Sequence, residues 1–130
     1  MDERVSYWLD LCAYDLDTAK AMMETKRYLY VGFMCHQVVE KSLKGYHYHL
    51  LKSDAPYTHS LKRLALLTRL NTELSESWIK LISDLENMNI EARYPERKDD
   101  LARHLTKEIC NRFILETEEF LRWINSKLLA

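Results

Sequence analysis

Glycine and proline are nearly missing from this chain, with two of each in 130 residues. A sheet of many short strands needs turn residues at regular intervals, so the scarcity excludes the usual β-sandwiches and barrels and leaves a few long helices. Cysteine is sparse too. Cys12, Cys35 and Cys110 are odd in number, far apart and without a CxxC pair. That pattern excludes a disulfide framework and a zinc knuckle, and predicts reduced, buried thiols. Neither sign of charge dominates: 19 basic residues stand against 20 acidic ones, a formal net charge of -1. No global field draws such a chain onto nucleic acid or anionic lipid, and any such contact needs a local patch. No run approaches the ~20 apolar residues of a membrane span. Met1-Asp2-Glu3-Arg4 leads into an amphipathic pattern without the apolar core of a signal peptide, so the cytoplasm is the expected location and no membrane contact is expected.

What is present is helical periodicity. Hydrophobic residues make up 47% of the chain and charged residues 30%, the balance of a globular domain with one core rather than a disordered tail. Residues 1–130 read as a single domain. Val5, Trp8, Cys12, Leu16, Ala19 and Met23 recur at threes and fours, predicting a first helix from about Glu3 to Glu24. After Thr25-Lys26-Arg27, Val31, Met34, Cys35, Val38, Val39, Ser42, Leu43, Tyr46 and Leu50 share one arc of a second helix ending near Ser53 before Asp54-Ala55-Pro56. Thr58 is the expected N-cap of a short third helix carrying Leu61, Leu64, Leu67 and Leu70. A fourth stripe, Leu74, Trp78, Leu81, Leu85 and Met88, fades toward Ala92 and is interrupted at Arg93-Tyr94-Pro95, because proline disfavours the α conformation in the residue before it. A last helix carries Leu101, Leu105, Ile109, Phe113, Thr117, Phe120, Ile124 and Leu128. The expected fold is all-α: an up-and-down antiparallel bundle of four long helices plus one short helix.

The second helix places Phe33, Gln37, Lys41, Lys44 and Tyr48 on one arc opposite its apolar stripe, with Glu40 beside them. Two amines, an amide and two rings on one face suit a phosphate and a base held by charge-assisted hydrogen bonds and stacking. The same face also reads as a solvated one with a Glu40–Lys44 pair at i,i+4. Gly45 falls on the apolar arc, where a helix-interior glycine predicts close approach of another helix. Arg93 and Tyr94 in the interrupted segment offer a guanidinium and a phenol to a ligand, or else cap and pack the helix end. His36, His47, His49, His59 and His104 fall into no metal-binding pattern, so no metal is expected.

Taken in order, Trp8 with Asp15-Leu16 and Ala19, then Gln37-Val38-Val39-Glu40-Lys41-Ser42-Leu43-Lys44, then Thr58-His59-Ser60-Leu61, then Ala92-Arg93-Tyr94-Pro95, resemble the successive signatures of HEPN domains. The resemblance covers nearly the whole chain. It implies a helical bundle similar to the C-terminal domain of kanamycin nucleotidyltransferase, assembled as a homodimer or higher oligomer. It also implies work beside a separate minimal nucleotidyltransferase, in a two-component complex or a toxin–antitoxin pair, with a bound nucleotide or RNA and no other cofactor. On that resemblance Gln37, Lys41, Lys44, Arg93 and Tyr94 are the expected nucleotide- or phosphate-binding residues of a non-catalytic subunit. Some HEPN proteins are metal-independent ribonucleases with an Arg-x4-6-His motif shared across a dimer cleft. Arg93 has no histidine at that distance, whereas Arg97 and His104 satisfy Arg-x6-His and are the expected pair should this chain cleave RNA.

Overall fold

The computed structural model describes residues 1–91, 99 and 103–130. Every regular element among them is a helix. Helix α1, Glu3–Glu24, begins where the Asp2 carboxylate accepts from the Arg4 N–H at 2.7 Å, the side-chain cap that an orphan first-turn amide requires. It buries Val5, Cys12, Leu16 and Ala19 of the stripe read from the sequence, with Trp8 and Met23 half-buried. Helix α2, Tyr28–Leu51, closes on Lys52 in the left-handed conformation (φ 57°), its N–H returned to the Tyr48 carbonyl. Arg4 meets Asp54 at one end, and Trp8 meets Gly45 further in, so α1 and α2 run antiparallel.

Helix α2 is the axis of the domain. It packs against α1, α3 (Leu61–Leu67), α4 (Glu76–Leu85), α5 (Met88–Glu91) and α6 (Lys107–Leu129). Its buried arc therefore widens beyond a simple stripe to include His36, Glu40 and His47. Gly45 has the close approach expected of it, since a Cβ built there lies 3.0 Å from the Trp8 Cβ. On α6, Phe113, Phe120 and Ile124 are buried, and Phe120 stacks edge-on with Trp78 and Trp123. Cys12, Cys35 and Cys110 are free and buried, as expected. Burial pushes the Cys35 thiol up to about 12 and that of Cys110 up to about 11. The Cys12 thiol is pushed up by burial and by Asp15, against the opposing pull of Lys41. No helix among the described residues is long and apolar enough to cross a membrane.

The short elements depart from the sequence reading. Ser60, not Thr58, caps α3 by accepting from Arg63 N–H at 3.2 Å, while Thr58 Oγ1 accepts from Ser60 N–H. Leu61 and Lys62 N–H go instead to the Glu86 carboxylate, at 2.7 and 3.0 Å. Glu86 lies 25 residues further along the chain from Leu61, so local pattern carries no trace of this cap. Helix α3 stops short of Leu70 because the Thr68 hydroxyl donates to the Leu64 and Ala65 carbonyls and Arg69 turns left-handed (φ 61°), leaving Leu70 in a 3-10 turn, Leu70–Thr72. The fourth stripe divides into α4 and α5 around Glu86 and Asn87. Thr106 starts α6 by accepting from Ile109 N–H, so Leu105 precedes that helix rather than belonging to it.

Candidate functional site

Glu40 sits on α2 with 3% of its surface exposed. A buried carboxylate is expensive unless its oxygens are satisfied, and here both are. Oε2 accepts from Lys44 Nζ at 3.1 Å, one turn along the helix. Oε1 accepts from His59 Nδ1 at 2.9 Å, on the segment that enters α3. His59 is fixed in turn through its carbonyl, which accepts from His36 Nε2 at 3.0 Å. A carbonyl only accepts, so His36 Nε2 carries the proton and Nδ1 is left to accept from Gln37 Nε2 at 3.4 Å. Burial holds the His36 imidazole below its ordinary value of 6.5, against the upward pull of Glu40. A neutral ring is what this hydrogen-bond chain needs.

The neighbouring amine is held the same way. Lys41 Nζ donates to Asp15 Oδ2 of α1 at 2.5 Å. The Lys44 ammonium also stands 5.9 Å from the centroid of the Trp8 ring. Trp8 and Asp15, the Gln37–Lys44 stretch, and His59 with Ser60 were separate signatures in the sequence; the fold brings these three sets together. Gln37, Lys41 and Lys44 are half-buried rather than solvated, and each has a partner inside the chain. Arg93, Tyr94 and Arg97 lie outside the described residues.

His59 links this network to a surface cleft of about 490 Å³, lined by His59, Ser60, Lys62, Glu86, Asn87 and Asn89. Its walls come from the start of α3 and the α4–α5 junction. The sequence offered no periodic signal for Lys62, Glu86, Asn87 and Asn89 as a group, because they converge from two chain segments. His104 is elsewhere. It is exposed on a hollow of about 380 Å³ whose walls include Lys80, Asp84 and Arg112. There Asp84 accepts from Arg112 at 2.6 Å and from Lys80 at 3.3 Å.

Comparison with solved structures returns the same fold twice. TT1696 from Thermus thermophilus is 23% identical, with 97% of this chain and 99% of that chain covered and a TM-score of 0.79. ST0689, an archaeal HEPN homologue, is 18% identical, with 98% of this chain and 99% of that chain covered and a TM-score of 0.69. No curated protein matches. The family model for the HEPN domain matches residues 5–127, a span that takes in the Trp8, Glu40 and His59 signatures, and the chain belongs to the HEPN family.

Proposed function

We propose that this chain is a nucleotide-binding, nucleotidyltransferase-associated HEPN subunit that binds rather than catalyses. The supporting observation is the Glu40 network, which ties the Gln37–Lys44 stretch through His59 to an open polar cleft. In this reading Lys44 acts through Glu40 to set His59 on the cleft wall. Gln37 holds His36, Lys41 locks α2 to α1, and Arg93 and Tyr94 supply polar contacts to the nucleotide or to the transferase. The subunit works as a homodimer or larger assembly. In this reading a second copy would cover the hollow of about 320 Å³ lined by Thr18, Met22, Arg27, Tyr30, Phe33 and Met34.

The test is to co-express the chain with a minimal nucleotidyltransferase and to titrate the purified complex with ATP. Co-elution on size exclusion and saturable nucleotide binding are expected, with Arg93→Ala weakening the binding at least tenfold while the helical circular dichroism is unchanged. Retention of neither transferase nor nucleotide overturns the proposal. A second reading, a metal-independent ribonuclease, rests on the exposed His104 beside Lys80 and Arg112. In that reading Arg97 would stabilise charge on the phosphate and His104 would move the proton. Undiminished cleavage of single-stranded RNA by His104→Ala sinks that reading.

A further inference from the structure

The outer side of α1 carries a repeat that packing within the chain does not require. Glu3, Asp10, Asp17 and Glu24 recur every seven residues, and Tyr7, Tyr14 and Ala21 recur every seven between them. At about 3.6 residues per turn these positions share an arc of roughly 100°, opposite the buried Val5, Cys12, Leu16 and Ala19, and no Lys or Arg falls within it. All of them are exposed, Tyr7 by 55% and Tyr14 by 73%. Alternation of four and three residues is the spacing by which one helix keeps a seam toward another. No element among the described residues covers this one.

The charges of this face are also unanswered. Elsewhere Asp15 pairs with Lys41, Asp54 with Arg4, Asp84 with Arg112 and Glu118 with Lys20. Glu3, Asp10, Asp17 and Glu24 have no ion-pair partner among the described residues. The last turn of α1 ends on Glu24 and holds no basic residue, so that carboxylate stands against the negative end of the helix dipole. A cation from outside the chain relieves that opposition. At the other end of the stripe a hollow of about 820 Å³ opens beside Glu3, with Tyr7, Trp8 and Tyr48 in its walls and the Tyr7 and Trp8 rings edge-on at 5.8 Å. Arg4 lines it too, but two hydrogen bonds commit its guanidinium to Asp54. Lys44 already stands at the Trp8 ring, which leaves Tyr7 and Tyr48 to an incoming side chain.

These features select the occupant. Four carboxylates without a cation among them repel phosphate backbones and anionic lipid, and a second copy presenting the same face would set four carboxylates against four. Successive carboxylates lie about 10.5 Å apart along the axis at about 1.5 Å per residue, too far to share one metal ion. A second helix with basic residues at seven-residue intervals reproduces that spacing. Its Lys or Arg stems can lie along the tyrosine rings while the charged heads reach the carboxylates. We propose that the outer face of α1 docks a partner protein's helix that carries Lys or Arg at seven-residue intervals, with Glu3, Asp10, Asp17 and Glu24 pairing its cations and Tyr7 and Tyr14 packing on its stems. Neither the Glu40 network nor the cleft takes part, so this surface is independent of the nucleotide-binding reading.

The test measures, by fluorescence anisotropy at low ionic strength, binding of the full chain to two labelled alanine-rich helical peptides with four lysines each. One peptide has them at seven-residue intervals, on one face; the other has them at five-residue intervals, which scatters the same charge around the helix. The first is expected to bind at least tenfold tighter and to lose that advantage at high salt. Asp10→Asn combined with Asp17→Asn should abolish the preference, and Tyr7→Ala combined with Tyr14→Ala should weaken the first peptide several-fold. Circular dichroism and thermal melting check that these surface variants fold. Equal affinity for the two peptides, or an undiminished preference in the double asparagine variant, overturns the proposal. Self-association of the chain that disappears with Asp10→Asn and Asp17→Asn also overturns it, by giving the face to a second copy.

Discussion

The α1–α2 seam and the cleft between α3 and α5 carry similar residue types in opposite states. In the seam every charge is answered: Lys41 by Asp15, Lys44 by Glu40, and Glu40 again by His59. In the cleft Lys62 stands exposed and Asn89 has an oxygen with no partner. Buried charge is tolerated only when paired, so the seam is the part of the site that fixes geometry. The cleft, with bonding capacity left over, is the part that can receive something. The basic, motif-rich stretch thus spends its amines on partners within the chain.

The sharpest way to break this contrast is at Glu40. Glu40→Ala leaves Lys44 and His59 without the carboxylate that both of them meet, and the loss should be about 3–5 kcal/mol by urea denaturation. A loss under ~1 kcal/mol would mean that the seam's charges do not hold the fold. Gly45→Ala is the next test. It places a methyl 3.0 Å from the Trp8 Cβ, and neither atom is the far end of a flexible chain. Overpacking of about 1–3 kcal/mol opposes a helix-propensity gain of up to ~1 kcal/mol, so net destabilisation is expected in the same assay.

A smaller effect concerns pH. The folded-state pKa of His36 lies below 6.5, so the unfolded chain takes up the proton first as pH falls. The stability that depends on the neutral ring is fully present above about pH 6.5 and declines below it. His36→Gln should flatten that limb of the Tm-versus-pH curve, and an unchanged limb would assign the acid sensitivity to another group. The smallest expected change belongs to the cleft: Asn89→Leu should alter stability by no more than about 1 kcal/mol, because it removes an oxygen that has no hydrogen-bond partner and puts a side chain of similar size in its place. A large loss there would put Asn89 in the structural class with Glu40.

The contrast also marks what sequence reading reaches. The bounds of α1, its buried stripe, the three buried thiols and the close approach at Gly45 were all legible, because each follows from helical periodicity or from the chemistry of one residue. The Gln37–Lys44 face was legible as a face. Its partners were not, since Asp15 and His59 are 26 and 19 residues away from Lys41 and Glu40. The same reason hid the start of α3, whose first amides are capped by Glu86 from the later α4–α5 junction.

The sequence by itself determined an all-helical chain, through the period of its apolar residues and the near absence of glycine and proline, and its ordered motifs carried the resemblance to HEPN domains. Only the tertiary structure decided that the motif amines are partnered from within and that the open polar cleft lies between α3 and α5. Pairing of charges and the opening of a cleft depend on which segments meet, and periodicity along one helix carries no information about its neighbours.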